Sequence, residues 1–318
     1  NTINDTNWHF YSIVINPTNN KIKIWVDGLL VEQNTKSWNG IRDTATALRL
    51  GNPTPSSSTA GLDGFIDNVR IYDYARTPAQ IAWDYNRGGP VGHWRFDECQ
   101  GTTAYDVSGN ENHGTINIGA TAPQTSAGTC TSGNSAHAWY NGREGRINSA
   151  MSFDGVDDIL TIADSPSISP TTTGSLACWI YQNSQADSTG FVNKANSRTW
   201  LDTDYGLVQR YAGEIRAVIS NGSNWQSAEY SPIPTSTWYH ATMTWDGTTI
   251  KLYLNGNKVD QKNQVYTPQD SDDPLTIGAW GDTTGVTDSK IDDVQIFNYA
   301  LTDEQIKTLY NDGAVSFR

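Results

Sequence analysis

VGHWRFDECQGTTAYDVSGNENHGTIN, residues Val91 to Asn117, decides how the rest of the chain is parsed. Trp94 and Phe96 alternate with polar neighbours, the pattern of a strand with one buried face, and the chain then enters a loop crowded with oxygen-bearing side chains. This is the opening of a complete β-sandwich domain, so the residues ahead of it belong to something else. Its loop is also the first candidate for chemistry.

Downstream, further strand signals follow. Ser149 to Ile162 (SAMSFDGVDDILTI) reads as two strands around an Asp-Gly turn, Ser175 to Tyr181 as a buried strand, and YGLVQR and EIRAVIS as a pair around Gly213. The remainder repeats what stands before Val91, with a period of roughly 225 to 230 residues. WHFYSIVINPTNNKIKIWVDG from Trp8 aligns with WYHATMTWDGTTIKLYLNG from Trp238, each ending in a hairpin turn, Asp27-Gly28 or Asn255-Gly256. ALRLGN then aligns with PLTIGA, and GFIDNVRIYDYA with SKIDDVQIFNYA. Each copy closes on a short helix with a capping box, Thr77 with Gln80 ahead of Ile81 and Thr302 with Gln305 ahead of Ile306.

The first copy lacks the front half, Val91 to Pro234, that the second possesses. Half a sandwich cannot bury its inner face. Residues 1–88 are therefore expected to be the C-terminal half of one domain and residues 89–318 a complete second domain. The missing half either precedes residue 1, or a neighbouring molecule supplies it by strand addition, a route to a filament. Only Arg87 to Pro90 separate the copies, which favours a fixed orientation.

Composition narrows the class. With 318 residues, 36% of them apolar, the chain can bury a sizeable core, and its 28 Gly, 12 Trp and 15 Tyr suit short strands, tight turns and aromatic packing. A formal charge of -13 argues against a nucleic-acid partner, and no apolar run is long enough for membrane insertion as a helix. Of the three cysteines, Cys99 and Cys130 suit a disulfide tying a Gly/Ser/Thr-rich excursion to the opening strand, and Cys178 suits a buried thiol. A disulfide implies an oxidising compartment, yet residue 1 opens no signal peptide, so a processed piece of a longer chain is expected.

Taken in order, WRFDE, YDVSGNENHG, SFDGVDD, WYHATMTWDG, KLYLNG, LTIG and IDDVQIFNYALTDEQI resemble the laminin G-like, pentraxin-like branch of the concanavalin A-like lectin/glucanase superfamily. The resemblance spans residues 91–311, and its back half recurs over 8–86. It implies an all-β, two-sheet antiparallel jelly-roll sandwich in a secreted or surface protein, often with a structural calcium ion and sometimes with carbohydrate-binding ability.

Asp106, Ser108, Asn110 and Asn112 place oxygen-bearing side chains at alternate positions, a spacing that can wrap Ca²⁺ or close a hydrogen-bonded Asx turn. It is not an EF-hand, since Glu111 stands where that loop needs Gly. The resemblance implies calcium where this first loop meets the last strand, which brings in Asp292, with Asp67 its counterpart in the first copy. In IDDV, alternation sends Asp292 and Val294 to one face, so an Asp occupies a largely buried position and needs a cation or several donors. Asp154, Asp157 and Asp158 read as solvated turn acids first and metal ligands second.

Trp200, Tyr205, Tyr211, Trp225 and Tyr230, in the variable middle of the domain, are the candidates for stacking on sugar rings, with core or rim packing as the competing reading. Catalysis finds no support: the paired carboxylates of a retaining glycosidase and the Glu-x-Asp-x-x-Glu strand of the family's hydrolytic relatives are missing. The expected function is a non-catalytic extracellular module for adhesion or glycan binding, with a glycan or a surface protein as partner. A structural spacer or filament subunit is the second reading, and a glycoside hydrolase accessory domain the third.

Overall fold

Alternating apolar residues become strands in both copies, as described over residues 6–35, 47–51, 62–86, 88–263, 266–282 and 284–311 of a computed structural model. Asn52 of ALRLGN and Arg87 of the junction lie outside the described residues. By contact density the chain divides into two units, Asn1–Tyr85 and Asn86–Arg318.

In the first unit, YSIVIN and KIKIWV form β1 (Tyr11–Asn16) and β2 (Lys21–Val26), and β3 (Leu29–Thr35) completes an antiparallel sheet ordered β1-β2-β3. Asp27 (φ 51°) and Gly28 (φ 79°) are both left-handed, the turn whose twist suits a two-residue hairpin. Helix α1 (Pro78–Asn86) begins as its residues dictate: Gln80 N donates to Thr77 Oγ1 and Thr77 N donates to Gln80 Oε1. Val14, Trp25 and Ile81 form a small core with Phe10 and Ala75 against it.

The second unit is a two-sheet sandwich. Its strands are β4 (Gly92–Trp94), β5 (Thr103–Ala104), β6 (Gly114–Asn117), β7 (Met151–Asp154), β8 (Ile159–Ile162), β9 (Gly174–Gln182), β10 (Thr189–Lys194), β11 (Tyr205–Gln209) and β12 (Ile215–Ser220). They continue with β13 (Trp225–Tyr230), β14 (Trp238–Trp245), β15 (Thr249–Leu254), β16 (Asn257–Asn263), β17 (Leu275–Ile277) and β18 (Asp288–Phe297). One sheet runs β13-β12-β11-β10-β17-β8-β6-β5; the other runs β16-β15-β14-β9-β18-β4, with β7 also on β18. Their inner faces meet in one core that includes Trp94, Phe96, Trp139, Leu176, Trp245 and Ile296. Two short helices, α2 (Ala138–Gly142) and the capped α3 (Asp303–Tyr310), complete the unit.

Two local expectations change. The Asp-Gly turn at Asp154-Gly155 does not fold β7 back on β8: β7 pairs with β18 and β8 with β17 and β6, so residues 155–158 carry the chain from one sheet to the other. Strict alternation also fails in IDDV. Register shifts between Asp292 and Gln295 on β18, Asp293 is left-handed (φ 49°), and the bulge returns Val294 to the core face occupied by Ile291. Asn68 (φ 52°) repeats that kink in the first unit, so the kink is written into the local sequence.

The Cys99–Cys130 disulfide forms, with a Cα–Cα distance of 5.0 Å and a sequence separation of 31. A closed loop of that length is worth roughly 3 to 4 kcal/mol in the chain-entropy account. Cys178 is a buried free thiol, and burial pushes its ionisation upward.

Candidate functional site

The Asp106 loop resolves as a hydrogen-bonded knot. Asp106 Oδ1 accepts from His93 N (2.9 Å) and Ser108 N (2.9 Å), and Oδ2 accepts from Asn112 N (3.0 Å) and Asn112 Nδ2 (3.1 Å). Ser108 Oγ and Asn110 Nδ2 both donate to Val91 O, while Asn112 Oδ1 accepts from Ser165 and Ser167. A carboxylate offers about four acceptor positions, and protein donors fill all of them here. This donor set does not fit a calcium ion bridging to Asp292, with which Asp106 shares no hydrogen-bond partner among the described residues. The loop takes the Asx-turn form.

Asp292 is fully buried, and its Oδ2 accepts from Arg146 N and Ile147 N, both at 2.8 Å, whereas Oδ1 has no partner among the described residues. Its counterpart Asp67 is exposed and bonds Asn68 N. Burial pushes the Asp292 carboxyl up to about 8, against the Ile147 and Arg146 N–H groups and aided by Asp293. The folded protein thus holds this proton more tightly than the unfolded chain, a stabilisation present below about pH 4 and lost as pH rises through about 8. His240, pushed down to about 4 by burial, acts in the opposite sense between about 4 and 6.5, so the net fall is clearest above that window. Asp292→Asn, which imitates the protonated acid, is expected to flatten the loss of stability between about pH 6.5 and 8.5. Urea midpoints across that range test this; parallel profiles for both proteins would assign the slope elsewhere.

Carboxylates do converge at the crossover between sheets, where ligand atoms of Asp154, Asp157 and Asp158 lie within 4.8 Å of one another. Each also anchors backbone: Asp154 binds Gln124 N and Val156 N, Asp157 binds Thr121 N, and Asp158 binds Gly119 N and Asp154 N. Asp157 Oδ1 has no partner among the described residues, and burial together with Asp154 pushes Asp158 up to about 7. One added positive charge, a proton or a cation, would relieve the group.

The aromatic candidates separate into two sets. Tyr205 is core: it stacks on Trp245 at 5.2 Å, and its hydroxyl donates to Ile168 O at 2.6 Å. Tyr230 shares the inward side of β13 with buried Ala228, at the sheet margin. Trp225 lies on the outward side, stacked on Trp200 with centroids 4.9 Å apart and planes at 21°, and Trp200 meets buried Trp280 edge-on at 4.5 Å. Sequence reasoning missed Arg216. It lies in register between Glu229 on β13 and Val208 on β11, and its guanidinium sits 5.4 Å from Trp200 and 5.9 Å from the exposed Tyr211 ring. Glu214 and Glu229 (3.0 Å) both pair with it. Its outward alternation against Ile215 and Ala217 was the available signal. The result is a partly exposed indole, braced from behind, beside a fixed cation and two carboxylates.

A two-sheet antiparallel sandwich with this strand order defines a concanavalin A-like jelly roll. A laminin G profile described as the concanavalin A-like lectin/glucanases superfamily matches residues 1–82 and 154–307, and the chain belongs to this family. Domain 4 of AbnA, a GH43 extracellular arabinanase from Geobacillus stearothermophilus solved with arabinotriose, is similar at 20% identity and TM-score 0.52, over 70% of this chain and 98% of that one. The botulinum neurotoxin serotype D ligand binding domain, solved with N-acetylneuraminic acid, is similar at 13% identity and TM-score 0.52, over 73% of this chain and 52% of that one. The binding domain of Paraclostridial Mosquitocidal Protein 1 follows at 14% and 0.50, over 70% and 52%. The chain thus aligns with about half of each toxin domain. No curated protein matches the sequence. Among the described residues, no helix is long and apolar enough to cross a membrane.

Proposed function

We propose that this chain is a non-catalytic carbohydrate-binding segment of a secreted or cell-surface protein, with the outward face around Trp225 as its glycan platform. The observation that carries the reading is the Trp280–Trp200–Trp225 ladder, which holds an indole 38% exposed on the outside of a sheet. Such a surface suits the apolar C–H face of a sugar ring, and Arg216, Glu214 and Glu229 offer donors and acceptors to its hydroxyls. Solved relatives of the same fold carrying arabinotriose and N-acetylneuraminic acid support a saccharide ligand. The Cys99–Cys130 disulfide supports an oxidising compartment.

A glycan array followed by titration of the best ligand tests the platform. Trp225→Ala is expected to weaken binding by about tenfold or more, the range of a central aromatic contact, with little change in melting temperature. An array on which the wild-type chain binds nothing would favour a structural spacer.

Calcium enters the proposal at Asp154, Asp157 and Asp158. Saturating calcium is then expected to raise the melting temperature, by about 2.7 kcal/mol of stability at a hundredfold excess over the dissociation constant, and Asp157→Asn to blunt the response. A melting curve identical in calcium and in chelator removes the ion from the proposal.

A further inference from the structure

The outward face of the second sheet carries a row that crosses four strands. Ser152 on β7 pairs with Lys290 on β18, Lys290 with Tyr181 on β9, and Tyr181 with Trp238 on β14. Their chain neighbours Met151, Ile291, Ile180 and Tyr239 point into the core, so the whole row faces outward. Tyr181 and Trp238 pack at 5.6 Å and are both partly exposed, and the Lys290 ammonium sits 5.6 Å from the Tyr181 ring. At the Ser152 end the row opens into a cleft of about 370 Å³, lined also by Gln124, Asn141, Arg143, Asp154, Asn183 and Asp288.

The acids of this cleft accept hydrogen bonds from protein donors and Arg143 stacks on Tyr140 at 4.1 Å, which leaves Lys290 as the cation without an ionic partner among the described residues. Asp154 accepts from Gln124 N and Val156 N, and Asp288 accepts from Asn183 Nδ2 (2.8 Å) and Ser184 Oγ (2.7 Å). Lys290 is half-buried, and its ammonium makes no ion pair or hydrogen bond among the described residues; it lies over the Tyr181 ring. Burial lowers its proton affinity, and Arg143 adds to that while Glu144 opposes it. Arg143 donates through Nη1 to Tyr140 O (2.7 Å), and its Nη2 lies 3.9 Å from the exposed Glu144. Gln124 is 3% exposed; its Nε2 donates to Ser152 Oγ at 3.4 Å and its Oε1 has no partner among the described residues. Whichever way that amide is turned, one end is left unpaired, and an unpaired buried polar end is costly unless something occupies the cleft.

We infer that this cleft is a second saccharide site, specific for an acidic sugar: a ring bearing a carboxylate. The carboxylate pairs with Lys290 and Arg143, a ring hydroxyl meets the free end of Gln124, and the adjoining residue of the chain rests on Tyr181 and Trp238. Each uncommitted group in the cleft then has a partner of matching chemistry. The site lies on the opposite sheet from Trp225 and stands on its own observations; it shares with the function proposed above the saccharide class of ligand and one lining residue, Asp154.

The experiment is a ¹H–¹⁵N NMR titration of the full chain with trigalacturonate, with neutral maltotriose and sodium acetate as separate arms. Trigalacturonate is expected to shift the amides of Gln124, Tyr181 and Lys290, and to bind less tightly as salt is raised. The neutral trisaccharide and acetate are expected to leave those amides in place, since each offers only one half of the ligand. Lys290→Gln is expected to weaken trigalacturonate binding by tenfold or more and Lys290→Arg to restore most of it, with melting curves recorded to verify that both variants are folded. Shifts confined to the Trp200 and Trp225 region would overturn this inference and leave the earlier platform standing. Equal binding by wild type and a folded Lys290→Gln would overturn it as well.

Discussion

Lys194→Met is expected to cost the second unit about 3 to 5 kcal/mol, the range for removing one partner of a buried ion pair. Lys194 is wholly buried, and its ammonium lies 2.9 Å from Asp164 and 3.2 Å from Asp204 while donating to Ser271 O. Asp204 is buried too, so burial pushes its carboxyl up, and Lys194 with the donors of Ser271 holds it down. Without the ammonium, Asp204 keeps the Ser271 hydroxyl and amide but loses its only buried counter-charge among the described residues. For a unit of this size the loss corresponds to a fall in melting temperature on the order of 10 °C. Lys194→Met combined with Asp204→Asn is expected to recover much of that, because no charge is then stranded; Asp164, nearer the surface, keeps solvent as a partner. Urea denaturation of the single and double variants measures the coupling. Additive losses in the two would show that the ion pair is not the source.

The second large effect concerns the first unit, whose amides are expected to exchange with solvent at far lower free-energy cost than those of β9, β14 and β18. The repeat supplies the comparison. β14 pairs with β15 on one side and with β9 on the other, from Trp238↔Tyr181 to Trp245↔Gly174, whereas its counterpart β1 pairs, among the described residues, only with β2. β18 is paired by β9, β4 and β7, whereas its counterpart, residues 65–72, forms no strand. Burial follows pairing: Ile13, Val69 and Ile71 are 66%, 50% and 74% exposed, while their counterparts Met243, Val294 and Ile296 are fully buried. At about 1.5 to 3 kcal/mol for each aliphatic side chain buried, those three positions alone rival the net stability of a small domain. Fusing a copy of residues 89–234 ahead of residue 1 is expected to raise protection across β1 and residues 65–72. Strong protection of β1 without any added front half would mean that the first unit is stable as it stands.

The sequence by itself determined the class of fold and most of its parts, because the signals involved are local. Period-two alternation marked β1, β2, β14 and β15, a continuous apolar run marked β9, paired turn residues marked Asp27-Gly28 and Asn255-Gly256, and Thr with Gln three residues on marked both capped helices. The order of those parts carried the family, and position in loop or strand sufficed to sort Cys99 and Cys130 from Cys178. Tertiary structure alone decided which donors reach which acceptors. Alternate oxygens in the Asp106 loop suit a metal and an Asx turn equally, and the choice fell to the backbone N–H groups of His93 and Asn112, and to Val91 O, which no spacing announces. Tyr205 and Trp225 are both aromatic residues on strands, yet one fills the core and the other stands outside, because register across β11, β12 and β13 sets the face of each. Lys290, Tyr181, Trp238 and Gln124 are far apart along the chain, and only the pairing of β7, β18, β9 and β14 sets three of them in one row beside the fourth. Long-range pairing is chosen by the summed burial of whole sheets, and that sum is not written in any short stretch of residues.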